Sequence, residues 1–234
     1  DRAAGNNFGS GVGISGDTAV IGAPGDGGKG SAYVFVRSGG VWSQQAKLTS
    51  ADGAAGDQFG RMVAISGETT VIGAHGANGE VADAGAAYVF TRSGTNWSVE
   101  QKLTAPDGVG LDEFGWDVAI SGDTAVIGAK LNDSPADKSG SVYVFVRNGT
   151  TWAQQQKLTA SDGAAFDEFG FSVGVSGDSL IVGAPLDEHV ANGDLSVGSA
   201  YVFIRSGVNW TQQQKVTAAD ATPGDLFGFS VAMS

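Results

Sequence analysis

Short apolar runs and glycine-rich turns alternate along the chain, and the pattern recurs. In one copy Val63-Ala64-Ile65-Ser66 reads as a short strand, Ser66-Gly67-Glu68 turns the chain, and Thr70-Val71-Ile72-Gly73-Ala74 returns. A third run, Ala87-Tyr88-Val89-Phe90-Thr91-Arg92, is followed by a Ser-Gly turn and a fourth from about Trp97 to Thr104. The Ser-Gly-Asp turns at Ser15, Ser121 and Ser176 stand where a two-residue hairpin wants glycine. The second and third strands are apolar on both faces, which predicts burial on both sides. The fourth carries Gln154, Gln155, Gln156 and Lys157 before Leu158 and reads as an exposed outer edge, blunted by amides and charge.

The copies share one register. Phe-Gly begins at Phe8, Phe59, Phe114, Phe169 and Phe227; Tyr-Val-Phe begins at Tyr33, Tyr88, Tyr143 and Tyr201; and Trp42, Trp97, Trp152 and Trp210 follow. A four-stranded antiparallel unit of about 55 residues, buried within and polar at its last strand, describes a propeller blade. The expected fold is all-β: a β-propeller of four-stranded antiparallel blades in one domain over 1–234. The repeats run over about 8–58, 59–113, 114–168 and 169–226, and 227–234 start a fifth with one extra inner strand. A closed four-bladed ring has no place for that strand, so the chain is expected to be part of a longer propeller or to pair it elsewhere.

Composition agrees. Thirty-eight glycines against five prolines argue against helix and exclude collagen. A hydrophobic share of 41% with 16% charged residues argues against disorder. A formal net charge of −12 is poor for nucleic-acid binding and for docking on anionic lipid. There is no cysteine, hence no disulfide or thiolate metal site, and no apolar run long enough to cross a membrane. A chain opening at Asp1 reads as a processed form or a fragment.

The Phe-Gly openings, with Gly22-Ala23-Pro24 and Gly183-Ala184-Pro185, resemble the FG-GAP repeat, which builds the integrin alpha-chain head and recurs in bacterial secreted and surface proteins. Two units depart from Gly-Ala-Pro: His75 and Lys130 replace the proline. The resemblance implies an interaction module of an extracellular or cell-surface protein, of bacterial type. The calcium loop that integrin-type repeats carry between their first two strands is absent. Asp17, Glu68, Asp123 and Asp178 there are read as turn residues, one carboxylate per turn being far short of six to eight oxygens. No cofactor is expected.

Acidic residues five apart precede each Phe-Gly: Asp52 and Asp57, Asp107 and Asp112, Asp162 and Asp167, Asp220 and Asp225. Each pair is a weak candidate for calcium between blades; the plainer reading is carboxylates accepting backbone N–H bonds in the linker. Differences between copies are a better guide to function. The link from second to third strand is longest in the last unit and holds Asp187, Glu188, His189 and Asp194, a candidate ligand cluster or a solvated acidic loop. The residue after Phe-Gly also varies, and Trp116 and Phe171 there could stack on a ligand or fill space between blades. The recurring tryptophans raise a carbohydrate-binding alternative, against capping of a blade edge. With no HExxH, P-loop or GxSxG, the expected function is non-catalytic: adhesion or assembly through the propeller loops. A lectin-like propeller or an accessory domain of a larger secreted enzyme is the alternative. The expected partner is a protein, a glycan or further copies of the chain, with no nucleic acid and no membrane insertion.

Overall fold

The computed structural model describes residues 3–187 and 196–234. Blade 1 comprises β1 (Val12–Ser15), β2 (Thr18–Ala23), β3 (Ser31–Ser38) and β4 (Val41–Leu48); blade 2 comprises β5 (Val63–Ser66), β6 (Thr69–Ala74), β7 (Ala86–Ser93) and β8 (Asn96–Leu103). Blade 3 follows with β9 (Phe114–Ser121), β10 (Thr124–Ala129), β11 (Ser141–Asn148) and β12 (Thr151–Leu158), and blade 4 with β13 (Ser172–Ser176), β14 (Ser179–Ala184), β15 (Ser199–Ser206) and β16 (Asn209–Val216). Each blade is an antiparallel sheet in chain order. The core lies between blades, where Phe59, Ile72, Phe114, Ile127, Phe169 and Tyr201 are fully buried.

Successive blades join at Phe-Gly. The Phe59 N–H donates to Lys29 O at 3.0 Å, Phe114 to Ala84 O at 3.0 Å, Phe169 to Ser139 O at 2.8 Å and Phe227 to Val197 O at 2.8 Å, so each phenylalanine backbone hangs on the preceding blade. Its ring turns into its own blade: Phe59 meets Tyr88 and Phe90 edge-on at 5.4 and 6.0 Å. The following glycine stands at φ 85–97 in all five copies. A Cβ on Gly60 would overlap Ser31 O, and one on Gly22 would overlap the Gly60 carbonyl, so two backbones meet with no room for a side chain.

The outer strands are tied as well. The pairing of third and fourth strands slips at the same place in every blade, between Val89 and Phe90 for example, and bulges Gln45, Glu100 and Gln155 out of register. Those residues receive the indole N–H of the next blade: Trp97 to Gln45 at 2.9 Å, Trp152 to Glu100 at 2.8 Å and Trp210 to Gln155 at 3.0 Å. The turn serines link inner strands, Ser15 Oγ accepting from Gly67 N at 3.0 Å and Ser66 Oγ from Gly122 N at 3.1 Å.

The blades form an open arc. Phe8, Val12 and Ile14 of blade 1 are 55%, 71% and 66% exposed, while their counterparts Phe59, Val63 and Ile65 are 0%, 6% and 9% exposed. At the other end Ile181, Val202 and Val216 are only half-buried. The expected extra inner strand is not formed: residues 227–234 contain a single parallel bridge, Phe227 to Gly198. The segment still lies where a fifth blade would begin, with Gly228 against Gly183 and Met233 beside Gly174. A strand needs a ladder partner, and among the described residues none pairs with 228–234.

The glycine joint sets the first prediction. Gly115→Ala meets both a φ of 87 and the Ala86 carbonyl, and should cost roughly 3 kcal/mol or more. Gly149→Ala, in a hairpin turn at φ 64 with nothing within 4 Å, should cost roughly 1 kcal/mol. Urea unfolding compares them; equal losses would remove the joint from this account.

Candidate functional site

The paired aspartates occupy two different environments. The first of each pair reaches into the next blade: Asp52 accepts from Tyr88 Oη at 2.8 Å and pairs with Lys102 at 2.6 Å, and Asp107 does the same with Tyr143 at 2.8 Å and Lys157 at 2.6 Å. Asp162 takes Tyr201 at 3.1 Å and Lys215 at 2.7 Å. Burial opposes ionisation, but the lysine and the phenol hold these three carboxyls below the usual range. The second of each pair caps its own linker: Asp57 accepts Ala54 N at 2.8 Å, Asp112 Val109 N at 2.9 Å, Asp167 Ala164 N at 2.7 Å and Asp225 Thr222 N at 2.6 Å. Asp220 lies exposed beyond the last blade. Among the described residues no group of three or more His, Asp or Glu is arranged to hold a metal ion.

Departures from the repeat converge at the mouth of the arc. Trp116 is the third residue of β9 and is surrounded by side chains that the other blades do not repeat. The Arg61 guanidinium lies 3.8 Å from its ring centroid, Lys130 Nζ 4.1 Å, the His75 ring 5.0 Å and the Phe171 ring 5.6 Å. Phe171 continues the stack to Phe229 at 4.7 Å. Lys130 pairs with Glu113 at 3.2 Å and Glu168 at 3.5 Å. Arg61 Nε and His75 Nδ1 are buried with no hydrogen-bond partner among the described residues. A cleft of about 270 Å³ opens beside them, lined by Gln58, His75, Asp83, Leu111 and Glu113. Asp117 ties this region to blade 4, accepting Val173 N at 2.8 Å, and burial pushes its carboxyl up to about 6.

On the same face two linkers break a further rule. Three residues before Phe-Gly stand Gly5, Gly56 and Gly224 at φ 87–95, but the other two units place Leu111 and Phe166 there at φ 71. The N–H of Gly56, Leu111 and Phe166 each donates at 2.9–3.0 Å to a link between second and third strands, so these positions and those links share one side of the propeller. Leu111 and Phe166 are 69% and 53% exposed, and Val81 and Val109 beside them are also exposed.

The structure thus brings Trp116 and Phe171 together, with both rings engaged by the chain's own cations and aromatics. Asp187 is buried against Tyr201 and Lys215. Glu188, His189 and Asp194 lie outside the described residues. Sequence reasoning noted Arg61 and Lys130 as variable positions without giving them a role, and passed over Glu113, Leu111 and Phe166; the signal for Leu111 and Phe166 was a large residue where three copies hold glycine. The outer tryptophans are not free platforms: Trp152 and Trp210 are buried, and an arginine lies over each of the four rings at 5.1–6.0 Å.

The FG-GAP repeat family matches residues 1–35, 42–90, 97–145, 152–203 and 210–234. No curated protein matches the chain. Among solved structures, the crystal structure of the Saccharomyces cerevisiae Sqt1 is similar in fold at a TM-score of 0.54 and 12% identity, over 92% of this chain. The chain spans 50% of the Sqt1 chain.

The mouth makes a pH prediction. Burial, then the charges of Arg61 and Lys130, hold His75 down to about 4, against an ordinary value near 6.5. A depressed folded-state value stabilises above the unfolded value and is lost as pH falls from about 6.5 towards 4, by roughly 3 kcal/mol in full. Urea unfolding of wild type and His75→Gln at pH 7.5 and 4.5 should show the wild type losing more on acidification. Parallel losses would mean that His75 is not held neutral.

Proposed function

Because the chain belongs to the FG-GAP repeat family, we propose that it is a non-catalytic interaction module of an extracellular or cell-surface protein of bacterial type, serving adhesion or assembly. Its binding face is the side that carries the mouth and the linker residues Leu111 and Phe166. One observation carries this reading. At a position where three units have glycine, two units hold a large apolar side chain in left-handed backbone and expose it to water. The conformation costs on the order of 1 kcal/mol per residue, and in the isolated chain neither side chain is buried, Phe166 meeting Lys138 Nζ at 5.5 Å from its ring centroid. Such residues are explained by a partner that covers them.

The partner favoured is a protein with apolar side chains flanked by basic ones. Glu80, Asp83, Asp133 and Asp137 neighbour the exposed apolar residues in sequence or across the links, and the whole chain carries −12. A glycan is less well served, since Trp97, Trp152 and Trp210 give their indole N–H groups to the preceding blade. The open blade 1 face, with Phe8, Val12 and Ile14, suits a further blade of the same repeat, in this chain or another copy.

The test compares wild type with the double variant Leu111→Gly, Phe166→Gly on immobilised extracellular proteins and on a glycan array. The variant should keep the wild-type stability or gain up to about 1 kcal/mol per site. It should lose at least tenfold in affinity for any protein the wild type binds. Binding of a protein untouched by the double change, or binding confined to glycans, would overturn the reading.

A further inference from the structure

Residues twenty apart connect the approach to each Phe-Gly with the turn after the second strand of the neighbouring blade. Asn6 Nδ2 donates to Asp26 Oδ1 at 3.1 Å. Asn132 Nδ2 donates to Asp112 Oδ2 at 2.7 Å. Each is an amide facing a carboxylate, one donor to one acceptor. At the joint between blades 1 and 2 the corresponding residues are Asp57 and Ala77, and no pair is needed. At the joint between blades 3 and 4 they are Asp167 and Asp187, two carboxyls. Ionised, neither can donate.

Both are buried, at 1% and 4% exposure. Asp167 Oδ2 accepts Ala164 N at 2.7 Å, while Asp167 Oδ1 is buried without a partner among the described residues. Asp187 Oδ2 is already taken by Tyr201 Oη at 2.6 Å and Lys215 Nζ at 2.7 Å. Asp162, on the same lysine at 2.7 Å and the same phenol at 3.1 Å, is the third carboxyl facing the group. Two carboxyls therefore pair with one ammonium, and Asp167 lies close enough to feel its charge.

We propose that Asp167 and Asp187 share one proton, a carboxyl–carboxylate hydrogen bond standing where the other joints have an amide, and that this proton makes the joint between blades 3 and 4 sensitive to pH. Burial, with the neighbouring Asp187 charge, pushes Asp167 up to about 6, against the pull of Ala164 N–H and Lys215. A metal cation fits less well. The pair offers the one Asp167 oxygen and whatever Asp187 Oδ1 can add, against six to eight for a hard cation, with an ammonium already in place. Above the folded-state value the pair carries two like charges in a buried joint, at the root of the longest link between second and third strands. The sign follows: a raised carboxyl stabilises at low pH, and the stability is lost as pH rises through about 6. The device is independent of whether the linker face binds a partner.

Asp167→Asn keeps the acceptor for Ala164 N and supplies an amide donor to Asp187, reproducing Asn6 and Asp26. Asp187→Asn reproduces Asn132. Urea unfolding from pH 4.5 to 7.5 should show the wild-type folding constant falling about 25-fold relative to Asp167→Asn, the part of a two-unit shift that lies above pH 4.5, where an unfolded aspartate is already mostly ionised. His75 and Asp117 act alike in both proteins and cancel. Carbon-13 NMR of the wild type should show one aspartate carboxyl titrating near 6 that is missing from Asp167→Asn, a readout that survives if a variant fails to fold. Parallel pH profiles for wild type and both variants, or Asp167 titrating in the ordinary carboxylate range, would overturn the proposal. So would stabilisation by millimolar calcium at pH 7.5 in the wild type alone, which would put a cation in place of the proton.

Discussion

The contact of one blade's backbone on the next, at Phe-Gly, governs this molecule. Apolar burial between sheets is strong but has no direction, and two flat faces could slide or rotate against each other. Gly22 against Gly60, Gly73 against Gly115 and Gly128 against Gly170 allow one separation, because the backbones touch. The phenylalanine N–H on the preceding blade fixes the register, and its ring carries the contact into the next core. Most repeated polar residues then serve the same joint. Indole meets bulged glutamine at the rim, phenol and lysine meet aspartate on one face, turn serine meets turn glycine on the other, and Arg92, Arg147 and Arg205 each reach a threonine of the preceding blade at 3.0 Å.

A chain so committed to one joint separates its residues into two classes. Those that make the joint repeat, and their variation is confined. Those that face outward or into the mouth are free to differ, and four of them differ together around Trp116. The mouth is nearly self-neutralised, Arg61 and Lys130 standing among Glu113, Glu168 and Asp117. That arrangement closes the inner opening more than it invites a small ion. The linkers with Leu111 and Phe166 are different: both side chains stay more than half exposed, Phe166 with Lys138 Nζ 5.5 Å from its ring centroid.

The strands, their order and the blade were readable in the sequence because alternation, turn glycines and a repeated register are local signals; β5, for example, spans Val63–Ser66 as expected. The ties between blades were not. Tyr88 finds Asp52 thirty-six residues earlier and Lys102 finds it fifty earlier, and no periodicity within one unit announces either contact. The glutamine run read as a solvated edge holds a bulge whose middle residue serves the next blade, visible only once two blades are side by side. Residues 227–234 carry the pattern of an inner strand, yet a strand is a property of a pair, and among the described residues no ladder partner lies beside 228–234. Leu111 and Phe166 were passed over because a large residue in a glycine position looks like drift until its exposure is known.

The same separation makes the joints respond to acid in opposite senses. The joint of blades 2 and 3 contains His75, a base that burial and cations hold down to about 4, so protons there weaken it, opposed in part by Asp112, whose carboxyl burial raises. The joint of blades 3 and 4 contains Asp167, whose carboxyl burial and the neighbouring Asp187 charge push up to about 6, so protons strengthen it. Asp117 spans from β9 to Val173 with its carboxyl also raised, and it adds to the second effect. A repeat with identical joints would gain or lose stability evenly along the arc. Here two substitutions within the repeat, proline to histidine at one joint and asparagine to aspartate at the other, place opposite proton linkages on neighbouring joints, so a fall in pH shifts where the arc is weakest rather than weakening it throughout.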